Sequence, residues 1–105
     1  MINEFNQRLD SNGYIPSIIH NEGTCICCGT TLNLCRHEVF HGYANRRKSK
    51  ELGLWVNVCP VCHFKIHNTD GELDLTLKKR GQECAMAFYG WTVDEFRRRF
   101  GRNYV

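Results

Sequence analysis

Two Cys-x-x-Cys pairs, Cys25–Cys28 and Cys59–Cys62, constrain this chain more than any other feature. Each pair spans a turn tight enough to wrap one ion, and four sulfurs at about 2.3 Å fill a tetrahedral shell. The fold must therefore bring residues 25–28 beside residues 59–62. The cysteine count is seven, an odd number, and this spacing in a reducing compartment points to zinc before disulfides. A shell filled by sulfur has no open position, so the expected site is a structural zinc. Cys27 competes for a place in the first pair. Cys35 and Cys84 read as small apolar core residues.

A chain of 105 residues fits one small domain, whose modest core a metal staple would reinforce. No apolar run is long enough to span a bilayer, and the first twenty residues lack the layout of a secretion signal. The expectation is a cytoplasmic protein with no membrane partner. A net charge of +3 is not that of a polycation. The cations are clustered, however, in "NRRKSK" (45–50) and "RRRFGR" (97–102). Each cluster suits phosphate contacts or a solvated helix face.

Along the chain, residues 1–20 read as an N-terminal lead-in, with Ile15, Ile18 and Ile19 docking on the core. A knuckle at 25–29 enters an extended run from "LNLC" through "RHEVF" to Phe40. Residues 44–52 suit a short helix closed by Gly53, and "LWVNV" (54–58) alternates as a strand. "CPVCHFKIHN" turns into a helix that "NTDG" (68–71) breaks. A longer helix runs from about Glu72 to Tyr89, with Leu73, Leu77, Cys84 and Phe88 on one stripe and Gly81 inside it. Thr92 and Glu95 form a capping box for a last helix, with Trp91 and Phe96 at its staple positions and Val93, Phe96 and Phe100 on its apolar face. The expected class is α+β. A zinc-stapled core over 21–70 is followed by a helical extension over 71–105.

With cysteines filling the zinc shell, His63 and His67 are left over. At i and i+4 on a helix they share one face, a spacing that suits two imidazoles on one ion. In an extended chain His37 shares a face with Cys35, Val39 and His41, while Glu38 points the other way. If the two strands pair and the zinc holds the second helix across them, His37 meets the His63/His67 face and a second, open metal site results. His20 and His41 read as ordinary surface or core residues.

The order C-x-x-C-G, "HEVFHG", "NRRKS", "CPVCH" and a final His, with "IPSII" before it and "FGRNY" after it, resembles the HNH endonucleases of the ββα-metal superfamily. More closely it resembles small phage and prophage proteins of that family, and the likeness covers about residues 15–105. It implies a ββα-metal core and metal-dependent hydrolysis of a DNA phosphodiester, by nicking if there is one site per chain, in a bacterial or phage-infected cell. His37 matches the first histidine of the motif. Asn45, or alternatively Asn57, matches the asparagine that holds the active-site loop. His63 and His67 match the histidines at the end. Where many relatives have D-H or H-H, this chain has His37-Glu38, so His37 is the base or a metal ligand, and Glu38 takes the base position in the second case. A Mg²⁺ or Mn²⁺ ion on His37, His63 and His67 is implied. Arg46, Arg47 and Lys48 would hold flanking phosphates, and Arg97 and Arg98 would extend that grip. The helix surfaces over 72–100 serve either a homodimer or an ordinary core. The competing reading is a non-catalytic zinc module that binds DNA or a protein partner.

Overall fold

The computed structural model describes all 105 residues. It is a small α+β protein with one two-stranded antiparallel sheet and four α-helices. The order is β1 (Cys35–Glu38), α1 (Tyr43–Glu51), β2 (Trp55–Val58), α2 (Pro60–Phe64), α3 (Gly71–Tyr89) and α4 (Val93–Phe100). A π-helical turn, Lys65–Thr69, continues α2. No helix is long and apolar enough to cross a membrane.

The register of β1 on β2 sorts the side chains. Cys35 lies opposite Val58 and His37 opposite Val56, while Arg36 faces Asn57 and Glu38 faces Trp55. Directly paired residues of an antiparallel ladder share a face, and alternate residues change face. One face therefore carries Cys35, His37, Val56 and Val58, and α2 with its π-turn covers it. The other carries Arg36, Glu38, Asn57 and Trp55. Residues 14–17 cover that one: Trp55 Nε1 donates to the Ile15 carbonyl at 2.8 Å, and the Ser17 hydroxyl donates to the Trp55 carbonyl.

The strand ends at Glu38, two residues short of the expected Phe40. Ser49, fully buried in α1, causes the bend: its hydroxyl accepts from the Phe40 amide at 3.2 Å and donates to the Phe40 carbonyl at 2.7 Å. Phe40 is thereby directed onto Phe96 and Phe100, with ring centroids 5.1 and 4.9 Å away. One continuous core cluster joins Ile19, Val39, Phe40, Leu54, Val56 and Val58 to Leu77, Ala85, Phe96 and Phe100. Ile15 is buried as well, and Ile18 packs partly buried against the cluster.

The break expected over 68–71 narrows to Asp70, whose carboxylate caps α3 by accepting from the Leu73 amide at 2.9 Å. The apolar stripe of α3 also differs from expectation. Leu77 is buried, but Phe88 is 57% exposed and Cys84 only half-buried. Leu77, Gly81, Gln82 and Ala85 face inward instead. Small residues hold the centre of that face because the helix lies close to the residues that follow β1: a Cβ on Gly81 would stand 3.1 Å from Phe40 Cε2 and 3.2 Å from Val39 Cγ1. In α4 the expected Phe96 and Phe100 are buried, and the Thr92 hydroxyl accepts from the Glu95 amide at 3.1 Å. The Glu95 carboxylate takes Arg99 and Arg98 in place of the reciprocal bond of a full capping box.

Gly81→Ala, a change that stabilises an ordinary exposed helix, is expected here to destabilise the protein by about 1–3 kcal/mol through overpacking. Urea denaturation of the two proteins measures it, and an unchanged or raised midpoint would contradict the close approach of α3 to Phe40.

Candidate metal centres

The sulfurs of Cys25, Cys28, Cys59 and Cys62 lie within 4.8 Å of one another, and Cys28 Sγ is 3.7 Å from Cys59 Sγ. Ligands at about 2.3 Å on a tetrahedral ion stand about 3.8 Å apart, so the four fit a zinc ion. None of the seven cysteines is in a disulfide. Both pairs are shaped locally. The first is a knuckle closed by Gly29 N donating to the Cys25 carbonyl and Cys25 N to the Thr30 carbonyl, both at 2.9 Å. The second begins α2, with Cys59 as its cap, Pro60 in the first turn, and the Cys62 amide 3.5 Å from Cys59 Sγ.

Those amides prepare the cluster for charge. Burial resists ionisation of Cys25, but the amides of Cys59, Cys28 and Cys27 outweigh it and bring the thiol down to about 6. The Cys62 amide lowers Cys59 in the same way. Burial, and then the neighbouring thiols, push Cys62 upward. Two sulfurs thus ionise readily and a third resists, a set that a divalent cation completes. Cys27 is exposed and stands outside the four.

The second cluster forms where β1 meets α2 and the π-turn. The ligand nitrogens of His37, His63 and His67 lie within 4.8 Å of one another. His63 Nε2 and His67 Nε2 are 3.0 Å apart, and the His37 ring lies 5.3 and 5.1 Å from theirs. His37 is only 3% exposed, and its Nε2 has no hydrogen-bond partner. Burial, followed by the nearby His63, His67 and His41, holds its pKa down to about 4. Burial and His67 lower His63 as well. Three imidazoles within this distance of one another are a set that could hold a metal ion.

Glu38, next in sequence, has the opposite surroundings. It is 6% exposed, and both of its oxygens are engaged: Tyr14 Oη donates to Oε2 at 2.8 Å and Arg46 Nε to Oε1 at 2.6 Å. Around the histidines opens a cleft walled by Arg36, Arg46, Arg47 and Lys50. Arg36 stacks on Tyr14 and Trp55 and pairs with Asp10 at 2.9 Å. Tyr43, fully exposed, stands at the rim.

Several expected site residues lie elsewhere. Asn45 Nδ2 donates to the Phe100 carbonyl at 3.1 Å, and Lys48 donates to the Arg99 carbonyl, so both tie α1 to α4. Arg97 and Arg98 pair with Asp94 and Glu95 on α4 and line no part of the cleft. Asn57 sits in β2 opposite Arg36. Cys35 is exposed, not a core residue: its strand face turns towards His63. His20 lies beside Glu22, outside the cleft. His41, Arg36, Tyr43 and Lys50 line the cleft unforeseen. Helical spacing holds the signal for the last two, since 43, 46, 47 and 50 form one face of α1 and 45, 48, 49 and 52 the other. Comparison with protein-family models, with curated proteins and with solved structures finds no match.

Purified protein is expected to carry one tightly held zinc, counted by plasma emission. Cys59→Ser should lose that zinc and its cooperative unfolding, whereas His63→Ala should keep both; zinc retained by Cys59→Ser would disprove the four-sulfur site. A second expectation concerns pH. An unfolded histidine titrates near 6.5, while native His37 stays neutral down to about 4. As pH falls below 6.5 the unfolded chain gains a proton that the native one refuses. The contribution of His37 to stability is thus full above 6.5 and lost towards 4. His37→Gln should flatten the decline in urea midpoint just below pH 6.5 in protein whose histidines carry no metal, and an identical slope would contradict the burial of a neutral ring.

Proposed function

We propose that this protein is a metal-dependent DNA endonuclease of the HNH type, hydrolysing phosphodiester bonds. The observation that carries the reading is the convergence of His37, His63 and His67 within 4.8 Å beside a cleft walled by arginine and lysine. Two paired strands followed by a helix, stapled by four cysteines, support the ββα-metal assignment that the sequence motifs suggest.

The donor set bears on the ion. Imidazole suits first-row transition metals, whereas Mg²⁺ prefers carboxylates and water, so Mn²⁺ fits these three residues better than Mg²⁺. Bound there, a divalent ion supplies Lewis-acid stabilisation of the charge that grows on the phosphate. His37, with an unpartnered buried nitrogen, belongs with the ligands. Glu38 holds Arg46 and Tyr14, and its engaged oxygens suit it to that task better than to accepting a proton from water. His41 is the remaining imidazole on the cleft wall, with Nε2 3.6 Å from Asp74 Oδ1. As the imidazole on the cleft wall outside the three-histidine set, His41 is placed to take the proton of the attacking water. Arg46, Arg47 and Lys50 hold the flanking phosphates by charge and fix register without reading sequence.

Nicking of supercoiled plasmid in the presence of Mn²⁺ tests the reading. His37→Ala should abolish it while keeping the structural zinc. His41→Ala should lose about 100-fold, the usual worth of a general base, and Glu38→Gln should lose less. DNA retained in a gel shift but never cut, with Mn²⁺ present, would replace the nuclease by a zinc module that binds nucleic acid.

A further inference from the structure

Cys35 stands outside both the zinc cluster and the core, although it lies near each. Its sulfur is 3.4 Å from His63 Nδ1 and 3.5 Å from the Val58 carbonyl, the last residue of β2 before Cys59. The other ring nitrogen, His63 Nε2, faces His67 Nε2 at 3.0 Å.

A neutral imidazole has one N–H and one lone pair. For Nε2 to offer its lone pair to an ion shared with His67 and His37, the proton must sit on Nδ1. That N–H then needs an acceptor, and the Cys35 sulfur is the partner within reach. The thiol proton has its own acceptor in the Val58 carbonyl. The chain His63 Nδ1–H to Cys35 Sγ–H to Val58 C=O satisfies every donor and leaves Nε2 free.

From this geometry we infer that Cys35 is a positioning residue of the histidine site, fixing the tautomer and orientation of His63. The inference rests on the reading of His37, His63 and His67 as an ion site. Metal-bound histidines usually lean on a carboxylate or carbonyl, and loss of such a partner typically lowers metal affinity about 10–100-fold. Here the outer partner is a thiol, itself held by the backbone that leads into the zinc cluster. Strand alternation also explains its place: Cys35 shares the face of His37, so one strand supplies a ligand and the support of another.

The test uses full-length protein containing one equivalent of zinc, titrated with Co²⁺ and followed by its visible absorption. The wild type should bind one Co²⁺. Cys35→Val, which fills similar space without a donor or acceptor, should bind about 10-fold or more weakly. Cys35→Ser, whose hydroxyl can both accept and donate, should stay within about threefold of the wild type. Urea midpoints of the zinc-loaded forms should agree; where the valine variant unfolds early, Cys35→Ala takes its place. Equal affinity of Cys35→Val and wild type, or no rescue by serine, would overturn the role of Cys35 and leave the histidine site standing. A wild type that takes up no Co²⁺ would remove the histidine site itself, and with it this inference.

Discussion

Four sulfurs hold the first turn of α2 against the knuckle at residues 25–28, and the position of His63 and His67 follows from that contact. β2 runs into Cys59 with no linker, so the cluster fixes the end of a strand and the start of a helix together. A five-residue α-helix has little stability of its own. Its direction here comes from the thiolate cap and Pro60 at one end and from buried Cys62 and Ile66 beneath it. The π-turn that continues it completes the face on which the two imidazoles meet. Such turns recur at functional sites because they re-aim side chains without breaking the helix.

The second determinant is parity. His37 and Glu38 are neighbours in sequence, yet the ladder sends one to the face of the clustered histidines and the other to the face covered by residues 14–17. Burial then acts oppositely on them. The ring of His37 is kept neutral among other imidazoles. The carboxylate of Glu38 is compensated by Arg46 and Tyr14, the arrangement a buried acid requires. One side of the hairpin gathers nitrogen lone pairs while the other builds the base of a cationic wall.

Much of this was legible in the residues. Cysteine spacing located the four-sulfur cluster, and the i, i+4 histidines with strand alternation brought His37 to them. What stayed hidden depended on partners far along the chain. Asn45 and Lys48 look like members of a basic helix face until α4 presents its carbonyls to them. Gly81 is too small to register in an apolar stripe, yet it marks where α3 comes close to Phe40. Cys35 resembled a core thiol because sequence cannot show that its strand face would be met by the edge of an imidazole and not by aliphatic carbon.

The bonds from Asn45 and Lys48 to the end of α4 give the arginine wall of the cleft an anchor of its own. The histidine wall is fastened through sulfur near the middle of the chain. The arginine wall on α1 is fastened through carbonyls of the last ten residues. The cationic wall thus draws part of its placement from the last helix, and a change near the C-terminus would reach the cleft through α1.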